Sequence, residues 1–175
     1  MQVQVREMRA GDTGALAGVG LAAGRMFADA GIELPPDDPA ETFARAEAVL
    51  VAEDPGSGRV LGSAAVGTVD GALHLEELAV DPAVGRRGVG SRLLEEVCAR
   101  TRTQGRRAVT LTTFRDLSWN GPWYARRGFR EVPAAEWGPQ LHRLWEEEAP
   151  IRVAPRIVMR RGIYSEVAST CPASI

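Results

Sequence analysis

The segment VDPAVGRRGVGSRLLEEV, Val80 to Val97, constrains this chain more than any other. Before it lies ALHLEELAV, a strand-like run. After it, Val89, Leu93, Leu94, Val97 and Cys98 recur at the spacing of one helix face. Gly105 stops that helix, and AVTLTTF, rich in β-branched residues, reads as a second strand. Strand, helix, strand with a glycine turn at the first junction favours a parallel pair joined by a right-handed crossover.

The turn itself has a chemistry. The first N–H groups of a helix have no intrahelical partner and concentrate positive potential. Glycines at 85, 88 and 90 let a ligand approach that backbone, and Arg86 and Arg87 add charge suited to phosphate. The competing reading is a tight turn in which Gly90 only packs against a strand. Nucleotide loops do not fit. A Walker loop needs a lysine, and the 175 residues contain none; a dinucleotide fingerprint needs GxGxxG, whereas the order here is GRRGVG.

The rest of the chain frames this unit. VQVREMRAGD reads as a strand and turn, TGALAGVGLAAGRMFADAG as a helix weakened by glycines, and GIELPPDDPA as a loop. ETFARAEAVL runs as a helix into the strand VLVAED. RVLGSAAVGTV and ALHLEELAV follow as strands separated by turns, which makes an antiparallel meander. SWNGPWYARRGF, the segment FREVPA, the helix-like LHRLWEEEA and a last strand RIVMRR complete the pattern. The expected class is α/β with α+β character: a mixed, mostly antiparallel sheet flanked by helices. Residues 1–163 read as one domain and 164–175 as a flexible tail.

A net charge of -2 creates no global pull toward nucleic acid or an anionic membrane, and neither is expected as a partner. Cys98 and Cys171 offer no disulfide framework, and the start carries no basic-then-apolar leader, so a cytoplasmic protein is expected. His74 and His142 lack metal-ligand spacing, and no metal is expected.

VDPAVGRRGVGSRLL resembles the acyl-CoA-binding motif of the GCN5-related N-acetyltransferases (GNAT). The two closing glycines of that motif fall on Gly88 and Gly90; its first position, usually Arg or Gln, falls on Gly85. WNGPWYARRGFREV resembles a second family segment, with Tyr124 four residues before Gly128 and Phe129 after it. Asn120 stands closer to the tyrosine than is usual. The resemblance spans roughly Val3 to Arg161 and is strongest from Leu73 to Val132.

The resemblance implies two central parallel strands that splay to admit acetyl-CoA. It implies cofactor contacts at Leu78, Ala79, Val80, Gly85, Arg86, Arg87, Gly88, Val89, Gly90, Ser91, Asn120 and Tyr124. Its reaction is acyl transfer from the thioester to a primary amine by direct attack. Val80 N–H would face the thioester carbonyl, and Tyr124 would act as acid toward the departing sulfur; an ordinary core tyrosine bonded to a backbone carbonyl is the competing reading. An ammonium must lose a proton before it can attack. Glu76, then Glu77, then His74 are the candidate bases. Strict alternation would put His74 and Glu76 on one face, with Leu78 and Val80, and Glu77 on the other, unless a bulge intervenes. WEEEAP reads as a solvated helix face, Trp119 and Trp123 as substrate-side or core residues, and Asp37 and Asp38 as groups that could meet a cation. The acceptor, a small-molecule or a peptide or protein amine, is unselected by any motif. A homodimer is common among such proteins, and a non-catalytic acyl-CoA-binding module is the alternative function.

Overall fold

A computed structural model describes residues 2–163; the expected tail at 164–175, with Cys171, lies outside the described residues. In chain order the elements are β1 (Gln4–Glu7), α1 (Thr13–Asp29), α2 (Pro39–Arg45), β2 (Ala48–Asp54), β3 (Arg59–Val69), β4 (Ala72–Val80), α3 (Val89–Thr103), β5 (Ala108–Phe114), α4 (Gly121–Ala125), β6 (Arg130–Glu131), α5 (Pro139–Glu147) and β7 (Arg156–Gly162). The strands form one seven-stranded sheet, ordered β1-β2-β3-β4-β5-β7-β6. Only β4 and β5 are parallel, so the mostly antiparallel sheet with one central parallel pair is as expected.

Turn chemistry explains the meander. Val69 pairs with Ala72, so Asp70-Gly71 is a two-residue hairpin loop, and both residues have positive φ, 47° and 78°. That conformation matches the right-handed twist of the strands, and Asp-Gly supplies it at low cost. The same Asp70 reaches across the fold. Its carboxylate accepts from the backbone N–H groups of Gln140 (3.0 Å) and Leu141 (2.9 Å) at the start of α5. It thus satisfies donors that the helix leaves open.

The two faces of the sheet are covered differently. On one, α3 buries Val89, Leu93, Leu94, Val97 and Cys98 against Leu73, Leu75, Val109 and Leu111, with Tyr124 and Phe129 in the same core. On the other, Leu16 of α1 packs on Val49, Val51 and Ala65, and Leu141 of α5 packs on Val158. Helix α1 forms despite its glycines, since Leu16 and Val19 anchor it while Gly14, Gly18 and Gly24 meet nothing within 4 Å. Tertiary packing outweighs the propensity cost there.

Candidate functional site

The central parallel pair separates. Its register runs only from Leu73↔Val109 to Leu75↔Leu111, while β4 continues to Val80 and β5 to Phe114. Asp81 N–H donates to Leu61 O on the β3 side (2.9 Å). In an antiparallel pair alternate residues turn both backbone groups the same way. Val80, and Leu78 before it, therefore direct N–H and C=O into the gap that β5 has left, and Ala79 faces β3.

At the head of this gap lies the glycine turn. Arg86 and Gly88 have φ of 62° and 82°, whereas Gly85 has an ordinary φ of −55°. Successive residues of alternating hand turn their N–H groups into one concavity, an arrangement suited to an anion. A Cβ on Gly90 would lie 3.4 Å from Trp123 and 3.6 Å from Val80, so Gly90 also lets the helix start pack closely. Arg86 and Arg87 are exposed and carry no hydrogen bond or ion pair among the described residues. One turn along α3, the Ser91 hydroxyl accepts from Arg127 Nε (3.2 Å) and Nη2 (2.9 Å), and the Arg127 guanidinium stacks 3.7 Å from the Trp123 ring centre. Arg126, Arg127 and Arg161 line a cavity of about 450 Å³ beside Ser91 and Leu94. These arginines were not singled out from the sequence; for Arg126 and Arg127 the signal is the RR pair of YARRGF, unremarkable until α4 is placed beside α3.

A β-bulge decides where the carboxylates point. Ala65 pairs with Glu77 and Val66 with Leu75, so Glu76 is the extra residue on β4. The Glu76 carboxylate sits over Gly67, the partner of His74, and Glu77 lies opposite Ala65 in the α1-side core. The strict alternation is thereby corrected: His74, Glu76 and Glu77 share the α1 side, and Leu78 and Val80 pack with the α3 core. Glu76 is exposed, and burial nonetheless raises its carboxyl above the usual range, with Arg45 opposing and Glu47 assisting. Glu77 is half-buried; burial raises it, and nearby Asp37 raises it further. Asp38 instead caps α2 through Ala40 N–H (2.9 Å).

His74 is buried, with Nδ1 2.8 Å from Thr110 Oγ1, and burial lowers its pKa to about 4 from an ordinary 6.5. It is a neutral, bonded core residue at neutral pH. The unfolded chain takes up this proton near 6.5 and the folded one near 4, so stability falls as pH drops through that window and levels below it. The loss is expected to approach about 3 kcal/mol. Denaturant titrations of His74→Asn between pH 7 and 4 should show a flatter slope than the parent; an unchanged slope would clear His74 of the effect.

Tyr124 packs edge-on against Trp123 and Phe129 in the α3 core. Among the described residues no hydrogen bond engages its hydroxyl, and that oxygen is not one of their enclosed, unpartnered polar atoms. Burial drives its pKa far above the ordinary value and keeps it a donor. Asn120 Oδ1 accepts from Thr113 Oγ1 (2.7 Å), tying the end of β5 to the start of α4.

On the α1 side, Phe114 at the end of β5 meets Phe27 of α1, which in turn meets Trp119. Arg156 of β7 lies over the other side of Phe114, 4.7 Å from its ring centre. Its Nη2 donates to Thr112 Oγ1 (3.0 Å), which donates to Glu148 Oε1 (2.8 Å). The last glutamate of WEEEAP is thus turned inward, although the run read as a solvated face. Burial lowers the Arg156 pKa and Glu148 opposes that shift. Trp123 lies on the α3 side and Trp119 near the α1 cleft.

Residues 45–131 match the model of a family described as an acetyltransferase (GNAT) domain. N-acetylglutamate synthase from Neisseria gonorrhoeae, solved with coenzyme A and N-acetyl-glutamate, is 20% identical with a TM-score of 0.71 over 94% of this chain; the chain spans 36% of that protein's length. A GNAT-family acetyltransferase from Staphylococcus aureus Mu50 is 14% identical, with a TM-score of 0.72 over 93% of this chain and 100% of its own. A GNAT-family acetyltransferase from Brucella melitensis in complex with acetyl-CoA is 27% identical, with a TM-score of 0.59 over 79% of this chain and 92% of its own. Among the described residues no helix is long and apolar enough to cross a membrane, and no three metal-ligating side chains cluster.

Proposed function

The chain belongs to the GNAT family of acetyltransferases, and from that premise we propose that it transfers an acyl group, acetyl foremost, from acyl-CoA to a primary amine by direct attack within a ternary complex. The observation that carries this reading is the gap between β4 and β5, which opens onto the amide-lined turn at the head of α3.

The residues fit coenzyme A. Backbone groups of Leu78 and Val80 can bond an extended amide-containing arm as a neighbouring strand would. The amides from Arg86 to Ser91 and the side chains of Arg86 and Arg87 suit a pyrophosphate, and Arg126, Arg127 and Arg161 offer charge for a further phosphate. Acetyl-CoA supplies the acyl group already activated as a thioester. The chain supplies the rest. Glu77 takes the proton that frees the amine's lone pair. Val80 N–H donates to the oxygen on which negative charge collects. Tyr124 donates its hydroxyl proton toward the departing sulfur.

The test is thiol release from acetyl-CoA across a panel of amines, run beside retention on immobilised CoA. Retention that free CoA reverses, with stoichiometric thiol and acylated amine, supports the reading. Retention without transfer to any amine points to a binding module, and no retention overturns the site. Tyr124→Phe is expected to lower kcat by about 10–100-fold with CoA affinity unchanged; unchanged thiol release at saturating amine across the pH range would remove Tyr124 from the acid role.

A further inference from the structure

We propose that Arg156 reads a carboxylate on the acceptor, so that the amine acylated here belongs to an amino acid or another carboxylate-bearing amine. This rests on the acyltransferase reading and names its substrate class.

Two enclosed arginine–carboxylate clusters among the described residues are built differently. Arg6 closes a two-point fork on Asp12, Nη1 to Oδ2 at 2.7 Å and Nη2 to Oδ1 at 2.9 Å, and its Nε donates to Glu53 at 2.7 Å. That is how a buried pair completes its hydrogen bonds. Arg156 is as enclosed, its side chain 8% exposed against 12% for Arg6, yet its fork stays open. Its Nη2 bonds a threonine and stands 3.6 Å from Glu148 Oε2, too far for a direct bond. Its Nε and that Glu148 oxygen are enclosed and have no partner among the described residues, and its Nη1 donates to none of them. Orphaned donors on a buried guanidinium cost free energy unless a ligand completes them.

The position suits an acceptor. Arg156 pairs with Phe114, at the end of β5 that β4 has left. Ile157 and Met159 beside it face the α3 core, so Arg156 faces the α1 side, as do Glu77 and His74. Phe114, with Phe27 and Trp119, walls that side with apolar surface. A carboxylate bound there meets a planar fork in a medium poor in water, where a charge-assisted pair is strong. Glu148 competes with it for the same guanidinium.

The experiment compares matched acceptors: phenylalanine, leucine and glutamate, their α-carboxamides, and their α-decarboxylated amines. Each is measured by calorimetry on CoA-saturated protein and as an acceptor of acetyl groups. At least one free acid should exceed its amide and its decarboxylated amine by about 10–100-fold, in binding and in kcat/KM. Arg156→Lys should abolish that preference, lowering the acid's kcat/KM far more than the amide's. Glu148→Gln, which removes the competitor, should enlarge it. A structural ion pair predicts instead that both variants lower thermal stability and affect acid and amide alike. That result, or acids and amides within threefold of each other, or no acid binding at all, overturns the proposal. Acid binding without transfer preserves Arg156 and removes the enzymatic reading; transfer confined to amines without a carboxylate does the reverse.

Discussion

Replacing Glu77 with Gln is expected to lower kcat/KM for acetyl transfer by about 10²–10³-fold and to remove an ascending limb from its pH profile. The limb should lie above the ordinary carboxylate pKa of 4.5, because burial and then Asp37 raise Glu77 in the fold. A base works when deprotonated, so activity rises with pH as Glu77 titrates. Asp37→Asn removes a like charge and should move the limb to lower pH without abolishing it. Glu76→Gln, at the exposed bulge position, should change kcat/KM by less than about threefold, well below the effect of losing a general base. The amine's own ionisation contributes equally to all three variants, so their differences isolate the carboxylates. A larger loss from Glu76→Gln than from Glu77→Gln would reassign the base.

The second large effect concerns stability. Arg6→Ala leaves Asp12 and Glu53 facing each other, with side chains 10% and 13% exposed, without their cation. Asp12 would keep one bond, from Arg9 N–H at 2.7 Å. The expected cost at neutral pH is about 3 kcal/mol, seen as a Tm lower by roughly 10 °C. The Asp12 pKa is lowered from 3.8, first by the Arg6 hydrogen bond, so its contribution is present above that value and is lost as pH falls through the lower folded one. The gap between parent and Arg6→Ala should therefore narrow in acid. A constant gap from pH 7 to 3 would show that Arg6 acts through packing and not through its charge.

The elements were legible because their signals are local. The Asp70-Gly71 turn, the alternation of the meander and the helical spacing from Val89 are properties of a few adjacent residues, and each appears where it is expected. The glycine turn was legible for the same reason, including the irregular Gly85, whose φ of −55° suits any residue although a Cβ there would lie 3.2 Å from Pro82 O. The three arginines beside Ser91 and the Arg156–Thr112–Glu148 group were not, because each joins segments far apart in the chain.

Sequence by itself determined the antiparallel meander, the strand–turn–helix unit and the family resemblance, since periodicity and turn preference act over short spans. Only the tertiary structure decided which face of the sheet Glu77 takes. One extra residue in β4 opposite Ala65 and Val66 resets the face of every residue after it, and strand register is a property of pairing, which no single strand contains. The same holds for the open fork of Arg156: its partners come from β5 and the end of α5, and their spacing exists only once the sheet and helix have docked.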